Sequence, residues 1–272
     1  MELVKRILSA VVFLPLFVLL VARGPRWAFA LLVLVVCAVG QWEFYRLVST
    51  TRLEVNRSLA LLVGIGLLMG FYAPWPWLLP LFLSLGIAGF LASALSSAGH
   101  SALPAQPGPG NAAALGLFGA LYVNWLLGHA LWLRALPHGV EWVFLLVFVT
   151  WGGDASAYLV GATLGRHRLS ALSPKKTVEG ALGGFAGAVT AALLARVLFY
   201  HDLPVPHAAA IGALLGIVGL LGDLSESAMK RTVGVKDTGN LIPGHGGVLD
   251  RIDSLLFTTP ALYYYARLAM GG

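Results

Sequence analysis

Apolar stretches of about twenty residues, broken by short polar or Pro/Gly-bearing segments, recur along the whole chain. Runs of that length read as membrane-spanning helices rather than as strands or half-buried surface helices. Nine are predicted, at about 3–22, 27–48, 59–73, 75–96, 112–135, 140–164, 181–200, 207–231 and 248–269. The third and fourth, separated only by Ala73-Pro74-Trp75-Pro76, are the weakest pair, and one hairpin that does not cross fully is the alternative. Trp27, Trp42, Trp75, Trp77, Trp142 and Tyr263 to Tyr265 fall near the proposed ends, where amphipathic rings favour the headgroup layer. The expected fold class is an all-α polytopic integral membrane protein.

Composition agrees. Of 272 residues, 58% are hydrophobic and 11% charged, with a mean hydropathy of +0.82; an ordinary soluble protein has about 25% charged residues. The spans leave no room for a separate soluble domain. The net charge of +6 would suit nucleic acid, but the 18 basic residues are scattered between apolar runs, so no nucleic-acid partner is expected. Cys37 is the only cysteine, which excludes an intrachain disulfide and a cysteine-rich metal site. Lys5 and Arg6 ahead of an apolar run imitate a secretory signal, yet Arg23 and Arg26 follow where small uncharged residues should lead to cleavage, so a retained first helix is expected.

Charge also orients the chain. With nine spans, the side bearing the N-terminus collects thirteen of the eighteen Lys and Arg, which predicts a cytoplasmic N-terminus. The Pro/Gly-rich segment 97–111 divides the chain into front helices, 1–111, and back helices, 112–272. Eight of the twelve acids follow residue 150, so the chemistry is expected in the back part, on its cytoplasmic side.

An ionised carboxylate within a span is costly unless paired, hydrated or metal-bound. Asp223, Glu226, Ser227 and Lys230, at spacings of three, four and seven, share one helical face; a polar seam between helices, or an internal Asp223 to Lys230 contact, is the plainer reading. Asp250 and Asp253, three apart at the start of the last helix, join Asp223 as hard oxygen donors suited to Mg2+. His245 stands among Gly244, Gly246 and Gly247, where the backbone could approach a phosphate and a helix N-terminus would offer free N–H groups; a plain flexible turn is the alternative. Asp154 lies inside the sixth span, and Ser173, Lys175, Lys176, Thr177 and Glu179 follow it in a cytoplasmic loop. Paired lysines and hydroxyls beside a metal suit a triphosphate, although a lysine pair there is also an ordinary topology signal.

The stretch from Ser227 to Asp253, SAMKRTVGVKDTGNLIPGHGGVLDRID, closely resembles the signature of the bacterial phosphatidate cytidylyltransferases, or CDP-diacylglycerol synthases. Trp151-Gly-Gly-Asp154 through Tyr158, with Gly161 and Gly165, and then Ser173 to Gly180, look like a second block of the same family. Residues 1–140 resemble it only in hydropathy. The resemblance implies that CTP and phosphatidic acid give CDP-diacylglycerol and pyrophosphate, Mg2+ being required. It further implies that Asp223 and Asp250 ligate the metal, supported by Asp253, Glu226 and Asp154. Lys175, Lys176, Lys230, Arg231, Lys236 and Arg251 would hold the two anions, and His245 a phosphate or the leaving pyrophosphate. Membrane lipids would surround the acyl chains; a second cation such as K+ and a homodimer fit the family too.

The main rival is an ion-coupled secondary transporter, which also uses intramembrane carboxylates and broken helices. Its sites, however, sit at the midplane between matching halves, whereas these polar residues gather at one face. A CDP-alcohol phosphotransferase would need an Asp-Gly-x-x-Ala-Arg opening that is missing here. A membrane scaffold leaves the acids unexplained.

Overall fold

Hydrocarbon leaves no water to satisfy backbone N–H and C=O groups, so apolar runs of this length close their hydrogen bonds internally as helices. The computed structural model describes residues 2–49, 54–98, 109–170, 173, 175–239 and 246–271. Nine helices form among them: α1 Glu2–Arg23, α2 Arg26–Val48, α3 Arg57–Tyr72, α4 Leu78–Ala98, α5 from Pro109–Ala120 through the π-helical turn Leu121–Trp125 into Leu126–Ala135, α6 Gly139–Leu164, α7 Val178–Leu198, α8 Val205–Thr232 and α9 Leu249–Ala269. Helices α2, α4, α5, α6, α7 and α8 provide six candidate membrane spans. Helix α3 and the Phe13–Arg23 part of α1 are apolar but shorter, and α9 carries Asp250, Arg251, Asp253 and Arg267. The chain is an all-helical polytopic membrane protein.

The start of α7 differs from the sequence reading by three residues. Thr177, expected at a substrate, is the N-cap: its Oγ1 accepts the Gly180 N–H at 3.0 Å, which satisfies one of the unpaired donors of the first turn. Thr177→Ala is expected to lower stability by about 1 kcal/mol, read as a lower unfolding temperature in detergent.

The chain divides into two compact units. One comprises Met1–Leu131 and Val233–Arg251, the other Trp132–Thr232 and Ile252–Gly272. The boundary expected near residue 111 adjoins residues 99–108, outside the described set.

Within the first unit, side-chain hydrogen bonds pin apolar helices together. Gln41, buried on α2, donates from Nε2 to the Ala60 carbonyl of α3 at 2.7 Å. Tyr45 donates its hydroxyl to the Gly116 carbonyl of α5 at 2.5 Å. These bonds remove the desolvation cost of the polar groups and fix register between otherwise slippery faces.

In the second unit, small residues let α6, α7 and α8 approach closely. A Cβ on Gly212 of α8 would stand 2.5 Å from the Val189 Cα and 2.9 Å from the Ala188 carbonyl oxygen of α7. Both obstacles are backbone, so no side-chain rotation relieves them. Gly212→Ala is expected to cost about 1–3 kcal/mol, measured as reduced resistance to thermal unfolding.

Candidate functional site

Gly222 brings α8 against α9: a Cβ there would lie 2.6 Å from the Asp253 carbonyl oxygen. The neighbouring Asp223 and, one turn on, Glu226 consequently come within electrostatic reach of Asp253. Asp154 of α6 interacts with Asp223 and lies 3.4 Å from the Ser254 hydroxyl, which donates to it. Four acids expected as metal ligands, Asp154, Asp223, Glu226 and Asp253, thus gather in the second unit.

Two lysines supply countercharge. Lys176 Nζ is 2.5 Å from Asp223 Oδ2, and Lys230 Nζ donates to Glu226 Oε2 at 2.9 Å. The helical face expected from the spacing is therefore present, but Lys230 pairs with Glu226 and not with Asp223. The partner of Asp223 comes from the loop before α7.

That loop folds on itself. The Leu169 N–H donates to the Lys176 carbonyl and the Val178 N–H to the His167 carbonyl, both at 2.9 Å, while the Lys176 N–H donates to the Ser173 carbonyl. Glu179 closes it from α7: its carboxylate accepts the N–H groups of Arg166 and His167, at 3.0 and 3.2 Å, and lies 2.6 Å from His167 Nδ1. The structure thus places Glu179 as the tie that holds the loop, with Lys176 turned to Asp223 and Lys175 exposed. Arg231, at the end of α8, is exposed and Ser227 is half-buried.

In the first unit, the segment leading to α9 is braced by two carboxylates. Asp250 Oδ2 accepts the N–H groups of Thr238 at 3.0 Å and Gly247 at 2.8 Å, the second bond reaching back three residues as in a capping box. Gly246 has φ +83, a left-handed conformation that disfavours other side chains, and a Cβ there would stand 2.9 Å from Asp250 Oδ2. Glu43, fully buried on α2, accepts the N–H groups of Val248 at 3.1 Å and Leu249 at 2.8 Å. The sequence suggested that this helix N-terminus presents free N–H groups to a phosphate. The donors at 247, 248 and 249 are instead engaged by Glu43 and Asp250, because a buried helix start must satisfy its own orphan donors. Lys236 and Arg251 are exposed; His245 and Gly244 lie outside the described residues.

Sequence reasoning passed over Glu43, Ser254 and His167. Glu43 carried a usable signal, a lone carboxylate inside an apolar run, whereas a serine or histidine of this kind gives none.

The acids are hard oxygen donors of the type that holds Mg2+. Among the described residues, no three His, Cys, Asp or Glu side chains converge closely enough to form a metal cage. The donor chemistry fits a cation whose remaining positions are filled by water and phosphate oxygens, which is how Mg2+ is commonly held at nucleotides.

A sequence profile described as the cytidylyltransferase family matches residues 4–269. The chain is 51% identical over 138 residues to a phosphatidate cytidylyltransferase of Synechocystis sp. (strain ATCC 27184 / PCC 6803 / Kazusa), covering 49% of this chain and 46% of that protein. It is 40% identical over 151 residues to a phosphatidate cytidylyltransferase of Bacillus subtilis (strain 168), covering 55% and 56%. An uncharacterized protein, YnbB, of Escherichia coli (strain K12) is 42% identical over 159 residues, covering 54% and 53%. The chain spans about half the length of the curated relatives it matches.

Proposed function

Because the chain belongs to the cytidylyltransferase family, we propose that it is a phosphatidate cytidylyltransferase, converting CTP and phosphatidic acid to CDP-diacylglycerol and pyrophosphate. The observation that carries this reading is the acid and lysine cluster of the second unit, with Lys176 Nζ 2.5 Å from Asp223 on a helix otherwise built to cross a membrane.

A phosphatidate oxygen attacks the α-phosphorus of CTP, the new P–O bond forms opposite the bond to the β-phosphate oxygen, and that bond breaks to release pyrophosphate. Two polyanions must meet, so the protein contributes charge neutralisation and positioning rather than a covalent intermediate. No general base is required, since a phosphate monoester near neutral pH is already largely ionised. Lys176 and Lys230 hold their ammonium groups beside acids in the absence of substrate; phosphate oxygens compete for them when CTP arrives. Lys175, Arg231, Lys236 and Arg251 add to the attraction for the triphosphate and the lipid phosphate. Asp154, Asp223, Glu226 and Asp253 would hold Mg2+, which when bound offsets the triphosphate charge and polarises the α-phosphorus. The acyl chains stay in lipid, because exposing them to water costs about 0.8 kcal/mol per CH2. Nine crossings with the N-terminus and the site at the cytoplasmic face of a bacterial membrane give CTP direct access.

Full-length protein in detergent, supplied with phosphatidate, Mg2+ and labelled CTP, is expected to yield labelled CDP-diacylglycerol and stoichiometric pyrophosphate. Absence of lipid-linked label, with other nucleotides and lipid acceptors also tried, would reject the assignment.

A further inference from the structure

Glu43 has no part in the chemistry just described, and its setting is unusual for a carboxylate in the middle of an apolar helix. It is 0% exposed, and its two oxygens accept the Val248 and Leu249 N–H groups at 3.1 and 2.8 Å, with the Thr238 hydroxyl at 3.5 Å. A buried charge survives only where donors replace its hydration, and here the donors are the first backbone groups of α9, whose dipole favours an anion at that end. The backbone is shaped around the carboxylate: a Cβ on Gly239 would stand 2.7 Å from Glu43 Oε1, and one on Gly247 would stand 2.6 Å from Oε2. A side chain at Gly239 would collide with Glu43, and one at Gly247 with both Glu43 and the Thr238 hydroxyl.

The clamp has a second arm. Thr238, whose hydroxyl faces Glu43, also gives its N–H to Asp250, and Asp250 takes the Gly247 N–H as well. One carboxylate from α2 and one from α9 therefore tie position 238 to positions 247–249. Lys236 and Arg251 are close in sequence to the tied positions, and Asp250 is itself part of the tie. We infer that Glu43 is a positioning residue for the backbone at 238–239 and 247–249, so that a side chain of the front helices sets where the neighbouring Lys236, Asp250 and Arg251 stand. The inference rests on the proposed cytidylyltransferase reading for its catalytic consequence, though not for the clamp itself.

The test compares Glu43→Gln and Glu43→Asp with wild type, each as the full chain in detergent. Amide hydrogen exchange is followed by peptide, and kcat and KM for CTP are measured with phosphatidate and Mg2+. Gln turns an NH2 toward a backbone donor, and Asp is one methylene too short to reach both amides. Both variants are expected to speed exchange at 246–250 while peptides of α7 and α8 exchange as in wild type. Turnover should fall on the order of 10- to 100-fold, mainly in kcat, with Asp retaining more than Gln. Unchanged exchange at 246–250 overturns the clamp. Faster exchange throughout the protein, in the milder Asp variant too, makes Glu43 merely structural and overturns the positioning role, as does local loosening with unaltered kcat. If wild type makes no CDP-diacylglycerol, the proposed function fails and the exchange comparison alone decides the clamp.

Discussion

Asp223→Asn is expected to lower CDP-diacylglycerol formation by about 100-fold or more while leaving the protein nearly as stable as before. Asp223 sits where charge must be managed: Lys176 is 2.5 Å away, and Asp154 and Asp253 lie within electrostatic range. The Asn side chain keeps the size and one oxygen but loses the charge that would hold Mg2+ and release or retain the lysine. The stability effect is small because the pair is only partly buried, at 20% and 34% exposed, and the Asn oxygen still accepts from the lysine, so little is lost of the about 3–5 kcal/mol that breaking a fully buried pair costs. Initial rates with labelled CTP, read beside a thermal unfolding curve, separate the two quantities. A variant within about tenfold of wild type would remove Asp223 from the reacting centre.

The Lys230 and Glu226 pair should behave in the opposite way. The two side chains are 13% and 1% exposed, so both charges have left water and neither can recover its hydration when the other is removed. Lys230→Met is expected to destabilise the protein by about 3–5 kcal/mol, seen as a large fall in unfolding temperature. Adding Glu226→Gln to that variant should restore most of the loss, because the buried anion is then gone as well. Failure of the double variant to recover would mean that the pair matters through its shape and not through its charge.

These two contacts show what periodicity can and cannot reveal. Glu226 and Lys230 are four residues apart on one helix, so their meeting follows from helical geometry alone. Asp223 and Lys176 come together only because the loop ending at Thr177 is folded back by Glu179 and because glycines let α6, α7 and α8 close up. No local pattern contains that information. The nine helices were legible because a long apolar run has few alternatives in a membrane. The braces on Asp250 were not, since they join backbone donors, which every residue carries.

Glu43 is a different case. The rule that an acid within an apolar run is a functional candidate applied to it as fully as to Asp223. Its signal is masked by distribution, since eight of the twelve acids lie after residue 150 and point to the other end of the chain. In a helical membrane protein, a solitary carboxylate is as costly as a clustered one and calls equally for an explanation.

The π-helical turn Leu121–Trp125 has its own consequence. Tyr122, Val123 and Asn124, three successive residues, are all buried there. A π turn accommodates one residue more than the α-helix would, so the helical phase before it is offset from the phase after it. Removing a single residue from this stretch would let it wind as a regular α-helix while the flanking segments keep their directions, because the wider turn is what absorbs the extra residue. Gly116, which accepts the Tyr45 hydroxyl, would go on facing α2. A one-residue deletion here should therefore be far less harmful than one elsewhere in α5, where nothing absorbs it and half the helix would turn by about 100°.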